Sequence, residues 1–193
     1  MIYLKYPNNI NKNINNSKEV ISFGNRGMDL ENDLNLTNNY YKDIDKAFIY
    51  KKPVPIKVTD VDYKSKGKTI RKAYFESPST TDYNGLYKGR YIDFEAKETN
   101  NKTSFPLMNI HKHQIDHIRH IDKHNGICFL IVRFKKIDKT YLLFSKDFLY
   151  YIDNYDKKSI SVSYFEKNGH LINFKYQPRI DYLEIVDKYM EVL

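Results

Sequence analysis

Between Thr80 and Lys97, three residues have the types and spacing for phosphodiester hydrolysis: Asp82, Glu95 and Lys97. Breaking such a bond calls for a divalent ion that neutralises the phosphate and lowers the pKa of an attacking water. Magnesium takes one or two carboxylates and completes its shell with waters and phosphate oxygens, so positions stay open for substrate. Asp82 stands just before the turn signal Asn84-Gly85. Glu95 lies on the strand that follows, so the two carboxylates meet if that strand pairs with the one ending near Asp82. Lys97 shares the strand face of Glu95, about 6.5–7 Å further along. An ammonium there can position the water or stabilise negative charge growing on phosphorus. Asp93 shares that face too, and spacing leaves open which carboxylate takes the metal. The competing account is a solvent-facing strand with alternating charges, since an E-x-K triplet alone is common. Against it stand the preceding carboxylate, an apolar opposite face and a basic chain.

Placing these groups requires a strand with one apolar side. From Tyr87 to Lys97 the chain alternates, with Ile92, Phe94 and Ala96 on one face and Asp93, Glu95 and Lys97 on the other. Upstream, the pattern turns helical from Asn25, with Leu30, Leu34 and Tyr41 on one side, and breaks before Ala47-Phe48-Ile49-Tyr50. In Lys51 to Val58, Pro53 and Pro55 exclude a helix and leave an edge strand or extended segment. Residues 57–72 carry six basic and two acidic residues, a local balance of +4. Turn chemistry from Asp62 to Lys68 and an extended pattern at Ile70, Ala73 and Phe75 suggest a basic protrusion between two strands, a solvated loop being the plainer account. After Pro106, Met108 to Lys123 reads as a helix, with Gln114 on or near the inner stripe that holds Ile118 and Ile121. Ile127 to Val132 is apolar on both sides, as expected of a strand buried on both faces. Tyr141 to Phe144 suggests a neighbouring strand and Tyr182 to Val192 a closing amphipathic helix. Residues 1–22 show no clean period and read as a flexible arm. The order of elements predicts one α/β domain over 23–193.

Composition narrows the partners. A chain of 193 residues is one domain by default and buries about 70% of its unfolded surface. With 41% hydrophobic and 15% aromatic residues it is no disordered basic tail. No apolar run is long enough to span a bilayer, and the polar N-terminus lacks a signal-like stretch, which predicts a soluble cytoplasmic protein with no membrane partner. The lone Cys128 excludes a disulfide framework or a cysteine-rich zinc module. A net charge of +8 suggests a polyanionic partner, though ribosomal, DNA-directed and membrane-surface proteins share it.

The string STTDYNGLYKGRYIDFEAKETNNKTSFPL, Ser79 to Leu107, closely resembles the RecU family of Holliday-junction resolvases. The resemblance extends to FGNRGMDLE (Phe23 to Glu31), KKPVPIKV (Lys51 to Val58), HQIDHI (His113 to Ile118), GICFLI (Gly126 to Ile131) and PRIDYL (Pro178 to Leu183). It covers about residues 23–190, with the motifs in the family's order and spacing. It implies a restriction-endonuclease-like core, a mixed β-sheet flanked by helices, with a stalk at about 58–81 projecting between two strands. It also implies a homodimer that nicks two strands of a four-way DNA junction symmetrically and leaves 5′-phosphate ends, in recombination and repair. By position, the magnesium-site residues fall on Thr80, Asp82, Glu95 and Gln114, with manganese as a substitute ion, and the transition-state stabiliser on Lys97. Glu31 matches a family acid near the same site. Arg26 and the stalk residues Lys64, Lys66, Lys68, Arg71 and Lys72 become candidate DNA contacts. A nucleoid-associated location, a strand-exchange recombinase and a branch-migration helicase are the implied surroundings. The first 22 residues depart most from the family pattern.

Other chemistries fit less well. His111 to His124 holds five of the six histidines, and spacings of three and four allow zinc on one helix face. Cysteine partners and an H-E-x-x-H motif are missing, so solvent-facing or DNA-facing histidines are the better reading. Cys128 in an apolar strand is expected to be inert, and no G-x-x-x-x-G-K-[ST] loop is present. Two alternatives to a resolvase remain: a junction-binding or DNA-annealing module with a vestigial site, and a related nuclease acting on linear duplex. Uncompensated carboxylates facing phosphate would repel it, which favours the enzyme.

Overall fold

The computed structural model describes residues 29–63, 69–76 and 80–191. In chain order they form helix α1 (Leu30–Asp43), strands β1 (Phe48–Lys51), β2 (Ile56–Asp62), β3 (Thr69–Phe75), β4 (Tyr83–Tyr87), β5 (Arg90–Thr99) and β6 (Ser104–Pro106), and helix α2 (Lys112–Lys123). Then follow β7 (Ile127–Phe134), β8 (Lys139–Phe144), α3 (Ser145–Asn154), β9 (Ser159–Ser161), α4 (Val162–Asn168), β10 (His170–Ile172) and α5 (Tyr182–Met190).

Six strands make one mixed sheet in the order β1-β4-β5-β7-β8-β10. Its central pair, β5 and β7, is parallel, and the other pairings are antiparallel. A parallel pair cannot be joined by a tight turn, and here β6 and α2 lie in the crossover. On one face Ile92, Phe94, Phe129 and Ile131 pack with Leu34 and Tyr41 of α1 and Tyr182 and Val186 of α5. The rings of Tyr83, Phe94 and Phe129 stack across three strands, with centroids 4.8 and 4.9 Å apart. On the other face Cys128, Leu130 and Val132 pack with Ile118 of α2, Phe148 of α3 and Phe165 of α4. This is the helix-flanked mixed sheet expected of a restriction-endonuclease-like core. β7 is buried almost throughout, as its apolar run predicts. Burial also pushes the Cys128 thiol up, which keeps it in its unreactive form.

The register puts Asp93, Glu95 and Lys97 opposite Cys128, Leu130 and Val132, on the α2 side of the sheet. The alternation along β5 therefore sorts its faces as expected, but α2 and its neighbours close over the charged one. Asp93 and Glu95 are fully buried in consequence.

Two local expectations need correction. Asn84-Gly85 does not turn; it lies inside β4, and the reversal into β5 comes at Lys88 and Gly89, with φ of 48° and 73°. The glycine serves close packing instead, because a Cβ at Gly85 would lie 2.1 Å from the Phe48 carbonyl oxygen of β1. The helix expected from Met108 begins at Lys112, after a short 3₁₀ turn at Leu107–Asn109. His111 caps α2, and Gln114 Oε1 accepts the His111 backbone N–H at 3.0 Å.

Strands β2 and β3 pair antiparallel as a separate two-stranded sheet, bulged around Asp60. β3 is exposed throughout and β2 over most of its length. Arg71 pairs with Asp62 at 2.5 Å, and Lys72 is exposed. Lys64, Lys66, Lys68, Arg26 and the N-terminal arm lie outside the described residues.

Gly85→Ala is expected to destabilise the protein by about 1–3 kcal/mol through overpacking against β1. A thermal melt followed by circular dichroism checks this; an unchanged Tm would show that β1 can move away freely.

Candidate active site

The β4–β5 pairing sets Tyr83 against Phe94, which brings Asp82, one residue earlier, level with Glu95. Asp82 is fixed there by the backbone N–H of Ala96, which donates to its Oδ2 at 3.3 Å. Lys97 Nζ lies 3.9 Å from the same oxygen and forms an ion pair with Glu95 Oε1. From the α2 side, Gln114 Nε2 donates to Glu95 Oε1 at 2.8 Å. Because Gln114 Oε1 is held by the helix cap, the side chain's orientation is set from both ends. The structure thus gathers Asp82 from the residue before β4, Glu95 and Lys97 from β5, and Gln114 from α2.

Glu95 is the unusual member. Its side chain is fully buried, and Oε2 has no hydrogen-bond partner among the described residues. Burial, and then the neighbouring negative charge of Asp82, push its carboxyl up to about 8, against the pull of Lys97. Desolvation outweighs the ion pair because only one of the two oxygens is compensated. Lys97 stands against both carboxylates but meets only one Glu95 oxygen, so the pair has room for a further positive charge. The donors suit a hard divalent ion of the magnesium type, which needs few protein oxygens. No three His, Cys, Asp or Glu side chains converge as a metal cluster among the described residues. A site built here would therefore rest on the two carboxylates with oxygens from other groups, water or phosphate.

Asp93, which spacing could not separate from Glu95, has a different environment. It accepts from Lys52 Nζ at 2.7 Å, Tyr91 Oη at 2.8 Å and the Thr81 hydroxyl, with His117 Nε2 at 3.3 Å. Both its oxygens are engaged, so Glu95 is the carboxylate on β5 with an oxygen to spare. His117 therefore faces a buried acid rather than solvent alone.

Thr80 is half-buried, and its hydroxyl donates to the Thr81 carbonyl at 3.3 Å. Together with Thr81, Asp82, Lys51 and Lys52 it lines a cleft of about 260 Å³. Glu31, on the first turn of α1, pairs with Lys51 at 2.5 Å. It borders a smaller cleft of about 100 Å³ shared with Asp82 and Glu98. Sequence reasoning missed Lys51 and Lys52, although they open the KKPVPIKV string, because two adjacent lysines before a proline signal only an exposed extended segment.

Residues 25–188 match the family model RecU, described as Recombination protein U. The chain belongs to the RecU family. Among curated members, a protein of Staphylococcus carnosus (strain TM300) named Holliday junction resolvase RecU is 48% identical over 96% of this chain and 95% of its own. Proteins of the same name from Geobacillus sp. (strain WCH70) and Staphylococcus aureus (strain JH9) are 50% and 53% identical. These cover 86% and 87% of this chain, and 85% and 83% of their own lengths.

In this RecU-family site the Glu95 carboxyl carries a measurable pH signature. In a chelating buffer the folded protein is expected to keep a proton on Glu95 up to about pH 8, whereas the unfolded chain releases it near the ordinary value of 4.5. The native state binds more protons between those values, so this contribution to stability is complete below the lower one and disappears as pH rises through the upper. Glu95→Gln should therefore gain stability relative to the parent as pH rises between about 5 and about 9. Thermal melts across that range measure it, and a difference independent of pH would contradict the assignment.

Proposed function

We propose that this chain is a magnesium-dependent endonuclease that resolves four-way (Holliday) DNA junctions by paired symmetric nicks in recombination and repair. The observation that carries the reading is the buried Glu95, with an uncompensated oxygen beside Asp82 and Lys97. Near-full-length identity to proteins named Holliday junction resolvase supports the substrate.

Asp82 and Glu95 would hold the ion, with Thr80 and Gln114 at its margin and manganese as a substitute. When bound, the ion neutralises the phosphate and lowers the pKa of the attacking water. The Ala96 N–H keeps Asp82 in place, and Gln114 aims the Glu95 carboxylate. Lys97, about a quarter exposed and adjacent to both acids, supplies positive charge where the transition state gains negative charge on phosphorus. Water attack with the 3′ oxygen leaving yields a 5′-phosphate and a 3′-hydroxyl.

Substrate choice is assigned to the β2–β3 ribbon, whose exposure and basic character suit insertion at a junction centre. Arg71 and Lys72, with Lys64, Lys66, Lys68 and Arg26, would contact phosphates. A homodimer would present two sites to strands related by the junction's symmetry. Action with a strand-exchange recombinase and a branch-migration helicase, at the nucleoid, completes the reading. Glu31 would act beside the site through Lys51.

The test uses a labelled mobile four-way junction and a matched linear duplex, each with and without magnesium. The parent should cut the junction selectively and only with the ion. Asp82→Asn and Glu95→Gln should each lower cutting by about 100-fold or more while retaining junction binding. Equal cleavage of both substrates would remove the junction assignment. Tight binding with no cleavage by the parent would make the protein a binding module.

A further inference from the structure

Beside the proposed metal site lies a second, interior charge cluster built around Lys52. This residue follows β1, where Lys51 pairs with Tyr83, so it stands level with Asp82. Its backbone N–H donates to the Asp82 carbonyl at 2.8 Å. Its Nζ donates to Thr81 Oγ1 at 2.9 Å and to Asp93 Oδ2 at 2.7 Å. Pro53, next in the chain, has no N–H with which to continue the pairing. The Thr81 hydroxyl in turn donates to Asp93 Oδ1. Lys52, Thr81 and Asp93 thus close a ring of hydrogen bonds around the residue immediately before Asp82. Tyr91 and His117 meet the same Asp93 oxygen, Oδ2, that accepts from Lys52.

The burial of this ring makes it informative. The Lys52 side chain is 17% exposed and the Asp93 side chain not at all. A buried ion pair is weak evidence for stability, because desolvation offsets much of the attraction. Its geometry, however, is demanding and directional. Here it grips the Thr81–Asp82 segment by main chain and by side chain, and anchors it to the strand that carries Glu95. That anchor adds to the hold that the Ala96 N–H already has on Asp82.

We propose that Lys52 is a positioning residue, which acts through Thr81 and Asp93 to hold Asp82 at the separation from Glu95 that a divalent ion requires. This rests on the reading of Asp82 and Glu95 as a metal site. Its Nζ is held by Thr81 and Asp93, so in this role it acts through those two partners.

The test measures manganese binding to the full-length protein without DNA, by electron paramagnetic resonance, alongside thermal melts. The variants are Lys52→Met, which keeps most of the stem and loses the charge, and the double variant Lys52→Met with Asp93→Asn. Outer residues that orient ligands typically change metal affinity by about 10–100-fold. Lys52→Met should therefore weaken manganese binding roughly tenfold or more. The double variant, with no buried charge left unpaired, should regain Tm while manganese binding stays weak. If metal affinity returned together with Tm, the cluster would be merely structural and the proposal overturned. Lys52→Met with parental affinity would overturn it as well. Should Lys52→Met fail to fold, Thr81→Val, which removes only the bridging hydroxyl, should show weakened binding in the same direction, and parental affinity there would overturn it. A parent that takes up no manganese, or a Glu95→Gln variant that binds it equally well, would overturn the metal-site reading first and this proposal with it.

Discussion

One buried carboxylate constrains much of this structure. Glu95 lies at the centre of the sheet, beside a second acid and with one oxygen uncompensated. An isolated charge in such a place would be costly, so the group must be protonated, paired or bound to a cation. Lys97 and Gln114 compensate one oxygen only. The remaining oxygen and Asp82 leave a demand for positive charge at one point, close to solvent through Asp82 and Lys97.

The fold meets the geometric side of that demand with few parts. A parallel β5–β7 pair requires a crossover, and the crossover helix α2 lands on the face that bears Glu95. Its cap holds the oxygen of Gln114, so the amide nitrogen is left for Glu95. The antiparallel β4–β5 pair delivers Asp82 from the other direction. Asp93 and Glu95 share a face but divide the work. Asp93 is engaged by Lys52, Thr81, Tyr91 and His117, whereas Glu95 Oε2 has no partner among the described residues. Beside this core, the β2–β3 ribbon buries little of itself.

Much of the core was legible because periodicity sorts the faces of strands and helices, although it did not announce the burial of Asp93 and Glu95. The alternation of β5, the two-sided apolar run of β7 and the inward stripe of α2 each left a clear pattern. The region from Ser145 to Ile172 did not, since α3 follows β8 without a break and α4, β9 and β10 are too short to establish a period. Asn84-Gly85 misled for a different reason: the glycine answers to a neighbouring strand distant in sequence, which local turn chemistry cannot register. The distinction between Asp93 and Glu95 was likewise invisible, because it depends on Lys52 and Thr81, which arrive from just after β1 and just before β4. The family resemblance named Thr80, Asp82, Glu95, Lys97 and Gln114 together, but the hydrogen bonds that distinguish them emerge only from tertiary packing.

The most direct test is a carbon-13 NMR titration of the Glu95 carboxyl in protein labelled at glutamate, with Glu95→Gln used to assign the signal. In chelating buffer it should titrate near about 8, the value to which burial and Asp82 push it. On addition of magnesium without DNA the midpoint should fall by about two units or more, because cation and proton compete for the same oxygens. A carboxyl that titrates in the ordinary glutamate range and ignores magnesium would contradict the account.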